Sequence, residues 1–123
     1  MWIINKIVSI NDDHLLFGSN CMSLMVLRIS DFSVIINKEF KHHMYDIVKV
    51  NKGSDFAIAT DKRIDLIKVD LLNLIIKIIP FKLKHNHSEI LKIRDNILLI
   101  SDLSTLHIYD VLNQKLLCHY KNM

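Results

Sequence analysis

Histidine pairs are the first candidates for chemistry in this sequence. His85 and His87 are two residues apart, so on a β-strand they would share a face and could chelate one metal ion. His42 and His43 form a second pair. A zinc site needs at least a third protein ligand, and no further residue has a fixed spacing to either pair. We therefore interpret these histidines as surface residues of connecting segments, and we predict no metal and no cofactor.

An acidic cluster, Asp12-Asp13-His14, could in principle serve acid–base catalysis. It lies between two apolar stretches, where aspartate is favoured because its side chain hydrogen-bonds to the local backbone. The sequence contains no G-x-S-x-G motif, no phosphate-binding glycine loop and no H-E-x-x-H motif. We therefore predict a turn at this position, no catalytic residues, and a protein that is not an enzyme.

Composition restricts the class of protein. Of 123 residues, 50% are hydrophobic and 24% are charged, which is typical of one globular domain with a real core. The net charge of +3 is carried by residues spread along the chain, so a dedicated nucleic-acid groove is disfavoured. Cys21 and Cys118 are too few for a disulfide scaffold and are expected to be free thiols in a reducing compartment. We expect an intracellular protein, either cytoplasmic or nuclear.

Neither a signal peptide nor a membrane helix is predicted. Residues 1–13 lack a basic region, a long apolar run and a small-residue cleavage site. The most apolar window, residues 64–83, is interrupted by Lys68, Asp70 and Lys77. Such a window is a poor membrane span and favours a pair of buried strands.

Four short apolar blocks recur three times in the same order. One block reads LLFGS from Leu15, FAIAT from Phe56 and ILLIS from Ile97, with a spacing of 41 residues each time. The other blocks are IVSI, IVKV and ILKI (from Ile7, Ile47 and Ile90), LRIS, IKVD and LHIY (from Leu27, Ile67 and Leu106), and VII, LII and LL (from Val34, Leu74 and Leu116). Repetition of this kind indicates one structural unit of about 40 residues, used three times.

Each unit is predicted to be a meander of four short strands. The blocks are β-branched and partly alternating, and turn-forming Asn, Asp and Gly separate them. We expect an all-β domain over residues 1–123, with units at about 1–41, 42–82 and 83–123, at least ten strands and no helix longer than two turns. The least alternating strand falls within residues 71–79. The predicted core includes Ile47, Val48, Ile58, Ile67, Val69, Leu98, Ile100, Leu106 and Ile108.

These units resemble the blades of the WD-repeat β-propeller family. In that family the second strand carries small residues and a Ser or Thr, and the third ends in an apolar-basic-apolar run followed by an aromatic-Asp pair. The third unit matches best, with ILLIS at 97–101 and LHIYD at 106–110. The first unit has Ser30-Asp31 in the place of the pair, and the second has Asp70-Leu71. The family's Gly-His pair is represented only by histidines, without the glycine. With two glycines in the chain, Asn and Asp are expected to supply the left-handed turn residues.

Three units are too few for a closed propeller, which typically has four to eight blades. A partial propeller of three four-stranded blades would leave apolar faces at both ends, and such faces are covered by other chains. The cover could be a second copy, a partner's incomplete propeller or a larger assembly, and a different subunit is favoured over a second copy because the three units differ from one another. Trp2 in the N-terminal strand, and Leu116 and Leu117 in the C-terminal strand, are the predicted contact residues. Lys82 and Lys84, in the basic run KLKHNH, could meet an acidic partner.

The resemblance implies a non-enzymatic protein-interaction scaffold that acts as a subunit of a larger assembly. Two alternatives stay open. A ligand-binding or hydrolytic propeller would need polar side chains that converge from equivalent positions, and Ser19, Thr60 and Ser101 are better explained as hydrogen-bonding residues within each blade. A nucleic-acid-associated subunit would use the spread lysines to contact phosphate without specificity.

Overall fold

Twelve β-strands form the computed structural model, which describes residues 4–19, 22–60, 63–80, 89–101 and 105–121. They are β1 (Ile4–Asn11), β2 (His14–Ser19), β3 (Ser23–Arg28), β4 (Ser33–Glu39), β5 (Met44–Lys49), β6 (Asp55–Thr60), β7 (Ile64–Asp70), β8 (Ile75–Pro80), β9 (Glu89–Arg94), β10 (Ile97–Ser101), β11 (Thr105–Asp110) and β12 (Lys115–Lys121). The described ranges contain no helix, and therefore none that could cross a membrane.

The strands form three separate four-stranded sheets, each an antiparallel meander in sequence order. We call them blade 1 (β1–β4), blade 2 (β5–β8) and blade 3 (β9–β12). The predictions of an all-β fold with at least ten strands are confirmed. Residues 71–74 form a turn and β8 follows, so the segment 71–79 is not helical.

The blades pack face to face, and their first strands lie side by side along an inner edge, β1 next to β5 and β5 next to β9. Packing of apolar side chains between blades produces two clusters. The first joins blades 1 and 2 and consists of Ile10, Leu16, Leu24, Val26, Ile36, Phe40, Met44, Ile47, Phe56, Ile58, Ile67, Val69 and Ile76. The second joins blades 2 and 3 and consists of Val50, Ala57, Ala59, Ile64, Ile90, Leu98, Ile100 and Tyr109.

Alternation along the strands gives each blade two apolar faces, because successive side chains point to opposite sides of a sheet. In blade 2, Ile58 belongs to the cluster shared with blade 1, and its neighbour Ala57 belongs to the cluster shared with blade 3. The middle blade is therefore covered on both sides. Blades 1 and 3 each have one covered face and one outer face without a neighbour among the described residues.

The strand register shows that the repeat in the sequence is offset by one residue in blade 3. Phe56 pairs with Lys49, and the matching pair in blade 3 is Leu98 with Lys92. The predicted spacing of 41 residues would have matched Phe56 with Ile97. Lys49 and Lys92 are 43 residues apart, and the connection from Lys92 to Leu98 is one residue shorter than that from Lys49 to Phe56, so equivalent positions of the second strands are 42 residues apart instead of 41. Consequently Ser101 is not the equivalent of Thr60.

Six of the nine predicted core residues are buried: Ile47, Ile58, Ile67, Val69, Leu98 and Ile100. Val48 and Ile108 are only partly buried. Leu106 was wrongly assigned to the core, since its side chain is 42% exposed. The reason is that Leu106 and Ile108 point away from blade 2, towards the side of blade 3 that has no neighbouring blade.

Left-handed backbone conformations occur at five described residues other than glycine: Met22, Phe32, Leu74, Asn96 and Gln114. Only Asn96 is of the expected Asn or Asp type, so the expectation for these turns was wrong in four of five cases. Phe32, Leu74 and Gln114 occupy the same place in the turn before the fourth strand of each blade. An Asp or Asn directly before each of them anchors the turn by hydrogen bonds, and this local support offsets the cost of the left-handed residue.

Candidate interaction surfaces

The outer face of blade 3 is an exposed apolar surface that crosses all four strands. One row of paired residues runs Leu91, Leu99, Ile108 and Cys118, and the next row includes Leu106 and Tyr120. Leu91 is 60% exposed, Leu106 42% and Tyr120 61%. We call these six residues the blade 3 outer face. Contiguous exposed apolar area is a general feature of surfaces that contact other chains.

The outer face of blade 1 is also apolar. Its central row contains Ile7, Phe17 and Met25, and the neighbouring row contains Leu15, Leu27 and Val34; we call these six the blade 1 outer face. Phe17 and Met25 are buried in the centre of the face. Ile7 and Val34 at its margins are 52% and 49% exposed. The blade 1 outer face is thus apolar but accessible at its margins, whereas none of the six residues of the blade 3 outer face is fully buried.

Covered positions elsewhere in the chain show what these faces are suited to. Leu91 and Leu99 of blade 3 pair in the same way as Val8 and Leu16 of blade 1. In blade 1 this pair packs against blade 2, and Leu16 has no exposed surface. Leu91 and Leu99 therefore occupy positions that in blade 1 pack against the following blade, and no following blade occurs among the residues that the structure describes.

The predicted contact residues fall partly within the described ranges. Leu116 is 37% exposed and pairs with Tyr109 on the blade 2 side of the sheet. Leu117 is 47% exposed and is the additional residue at an irregularity of the pairing between β11 and β12. Both are accessible, and their role in binding stays a prediction. Trp2, Lys82 and Lys84 lie outside the described residues.

Polar contacts along the inner edge tie the blades together. The Lys6 ammonium of blade 1 lies 3.3 Å from the Asp46 carboxylate of blade 2. The other oxygen of Asp46 accepts a hydrogen bond of 3.2 Å from the Ile90 backbone N–H of blade 3. The Lys49 ammonium donates to the Ile10 carbonyl at 2.6 Å. These contacts fix the relative positions of the three inner strands.

A buried ion pair between blades 1 and 2 was not found by sequence reasoning. The Asp65 carboxylate is completely buried, and its Oδ1 lies 3.0 Å from Nε of Arg63. Burial raises the pKa of Asp65, and the positive charge of Arg63 opposes that rise. The signal available in the sequence was Asp65 itself, an aspartate within an apolar strand and two residues after Arg63.

The cleft beside this ion pair is small and carries charges of both signs. It has a volume of about 220 Å³ and is lined by Glu39, Phe40, Lys41, His42, Arg63 and Ile78. The ring of His42 meets that of Phe40 edge-on, with centroids 5.9 Å apart. The cleft does not contain a nucleophile with an adjacent base, which a covalent mechanism would require.

Asp13, one of the residues first considered for chemistry, has a local structural role. Asp13 accepts hydrogen bonds from the backbone N–H and the hydroxyl of Ser30, and the Asn11 side chain accepts one from the Asp13 backbone. Asp13 therefore joins two turns of blade 1. No group of three or more His, Cys, Asp or Glu side chains suited to a metal occurs among the residues that the structure describes. His85, His87 and Cys21 lie outside those residues, and Cys118 is a free thiol.

Ser19, Thr60 and Ser101 were predicted to form hydrogen bonds within their blades, and the structure shows such bonds for Thr60. The Thr60 hydroxyl accepts from the Arg63 N–H at 3.0 Å and donates to the Arg63 carbonyl at 2.8 Å, which closes the turn between β6 and β7. Ser19 is buried at the equivalent position of blade 1. Ser101 does not belong to this set, because the register shift matches it with Gly18 and Ala59.

Comparison with solved structures defines the class of fold. The β-propeller domain of Cps50 (Swd1) from Myceliophteria thermophila matches 97% of this chain with a TM-score of 0.77 at 14% sequence identity. Hsv2 from Kluyvelomyces marxianus matches 98% of it with a TM-score of 0.59 at 10% identity. The chain spans about two fifths of the length of these structures, 41% and 40%. No family model and no curated protein sequence matches it.

The chain therefore has the fold of three consecutive β-propeller blades. The predicted resemblance to the WD-repeat β-propeller family is confirmed at the level of the fold.

Proposed function

We propose that this chain is a non-enzymatic protein-interaction scaffold that acts as a subunit of a larger assembly. Its binding surfaces are the blade 3 outer face and the exposed margins of the blade 1 outer face, at Ile7 and Val34. The observation that carries the proposal is the blade 3 outer face, where Leu91, Leu106 and Tyr120 are exposed at positions that a propeller covers with a further blade. Burial of apolar surface against a partner lowers the free energy of association by about 25 cal/mol for each Å² removed from water.

The rigidity of the frame supports the same function. The two apolar clusters and the contacts of Asp46 hold three sheets in fixed relative positions. A partner that binds a preorganised surface loses less conformational entropy than one that binds a flexible segment. A fixed sheet face is therefore suited to specific association.

A charged substitution in the blade 3 outer face tests this proposal. We expect the wild-type chain to associate, or as a monomer to bind an apolar dye strongly. Leu91→Lys should weaken both properties because a lysine ammonium cannot be buried without a partner. Leu112→Lys is the matched control, since Leu112 lies in a turn of the same blade and is 75% exposed. Light scattering and dye fluorescence measure the two properties. A monomeric wild type with low dye fluorescence, unchanged by Leu91→Lys, would contradict the proposal.

A further inference from the structure

The partner that covers the outer faces is indicated by three equivalent charged positions on the inner strands. Lys6 pairs with Gly18 in blade 1, Asp46 with Ala59 in blade 2, and Glu89 with Ser101 in blade 3. These pairs occupy the same place in their blades, so Lys6, Asp46 and Glu89 are repeats of one position. Glu89 is exposed.

Within the chain, this position makes a contact from each blade to the next. Lys6 of blade 1 reaches Asp46 of blade 2 at 3.3 Å. Between blades 2 and 3 the same step would bring together two carboxylates, Asp46 and Glu89. Asp46 instead accepts the Ile90 N–H at 3.2 Å. Glu89 has no following blade among the described residues, and a cation at the same position of a covering blade could pair with it as Lys6 pairs with Asp46.

We propose that a second copy of this chain covers both outer faces, with blade 3 of each copy packed on blade 1 of the other. Glu89 then meets Lys6 of the second copy, and the same pair forms again at the second contact. This inference rests on the proposed function and names its partner. The arrangement has two-fold symmetry and contains six blades, within the range of closed propellers.

The apolar rows of the two outer faces also match the two sides of the contact between blades 1 and 2. Leu91, Leu99 and Ile108 of blade 3 are equivalent to Val8, Leu16 and Val26, which cover blade 2 within the chain. Ile7 and Phe17 of blade 1 are equivalent to Ile47 and Ile58 of blade 2, which are covered by blade 1. Each outer face thus repeats one half of an interface that already exists in the molecule. We expect the two contacts together to bury more than about 1,000 Å².

Charge reversal tests which faces meet. Glu89→Lys places a lysine opposite Lys6 of the second copy, and Lys6→Glu places a glutamate opposite Glu89. Because Lys6→Glu also removes the ion pair with Asp46 within the chain, urea denaturation of this variant alongside the wild type checks that it is folded. Each variant alone should form its dimer roughly tenfold more weakly, because two like-charged pairs replace two ion pairs. In an equal mixture, one contact of the mixed dimer pairs the introduced lysine with the introduced glutamate and the other keeps the native pair, so affinity should return. Lys77→Glu, on exposed Lys77 of the outermost strand of blade 2, is the control for the mixture.

Sedimentation equilibrium of the full chain, the variants and the mixtures gives the outcome. We expect a mass of two copies for the wild type and restored dimerisation only in the mixture of Glu89→Lys with Lys6→Glu. A wild type of one copy, or of more than two, would overturn the second-copy proposal. The proposal would also be overturned if the mixture of Glu89→Lys with Lys6→Glu did not restore dimerisation. It would equally be overturned if the mixture with Lys77→Glu restored dimerisation to the same extent. In each of these cases the proposed scaffold function still stands if Leu91→Lys reduces association or dye binding. If Leu91→Lys changes neither, the proposed function is contradicted together with the second-copy proposal.

Discussion

The buried pair of Arg63 and Asp65 leads to an asymmetric prediction for unfolding stability. Arg63→Ala leaves a carboxylate with no exposed surface and without its cation, whose Nε lies 3.0 Å away in the wild type. Breaking a buried pair in this way costs about 3–5 kcal/mol, and we expect the lower end, about 3 kcal/mol, because the Arg63 side chain is 39% exposed. Asp65→Asn removes the buried charge and leaves an arginine that can turn to water. We expect it to change the free energy of unfolding by less than about 1 kcal/mol.

The pH dependence of these two variants follows from the raised pKa of Asp65, of which burial is the main cause. A carboxyl with a folded pKa above its unfolded value contributes stability below the unfolded pKa, and that contribution is lost as pH rises through the folded pKa. Arg63→Ala should raise the pKa further, so its cost should be largest near neutral pH and shrink in acid. Asp65→Asn should remove this part of the pH dependence.

Urea denaturation of the two variants and the wild type, from about pH 4 to about pH 7, measures the effect. Equal destabilisation by Arg63→Ala and Asp65→Asn would refute the reasoning, because it would show that the pair is a net source of stability. A cost of Arg63→Ala that is independent of pH would refute the assignment of the buried charge.

Two further variants test the packing between blades. Ile100→Ala should cost about 2–5 kcal/mol because Ile100 is fully buried between blades 2 and 3, whereas Leu112→Ala, at a residue 75% exposed, should cost little; equal urea midpoints would contradict the assigned register. Gly18→Ala should cost about 1–3 kcal/mol, since the added Cβ would overlap the end of the Met44 side chain. Gly53→Ala, whose Cβ would meet only a side-chain oxygen at 3.1 Å, is the control, and a melting temperature no lower for Gly18→Ala than for Gly53→Ala would show that Met44 moves aside freely.

The fold could be predicted because the relevant signals are local. Alternation with a period of two specifies each strand and Asn- or Asp-rich segments specify the turns, while a repeat of about 40 residues specifies the blade. The same signals could not distinguish Ile100 from Leu106. Both are apolar residues of alternating strands, and whether one is buried depends on a neighbouring blade that is present for Ile100 and absent for Leu106.

The surfaces and contacts depended on information that the sequence pattern does not contain. Matching Ser101 to Thr60 failed because equivalent positions of β6 and β10 are 42 residues apart, one more than the spacing of the sequence blocks, and the blocks look alike in either alignment. The Asp46 contacts reach Lys6 and Ile90, each about 40 residues away, and depend on how the blades are placed side by side. The open apolar ends were predictable because three units are too few for a closed ring.

Protection of the Cys118 thiol tests most directly whether the blade 3 outer face is a contact surface. Cys118 lies in the same row as Leu91, on the outermost strand, and its rate of reaction with a thiol reagent reports whether the face is covered. With Cys21 replaced by serine throughout, we expect slow labelling of the wild type at high protein concentration and faster labelling on dilution. Leu91→Lys should label fast at every concentration, and Leu112→Lys should behave like the wild type. Identical rates for the wild type and Leu91→Lys over the whole concentration range would contradict the account.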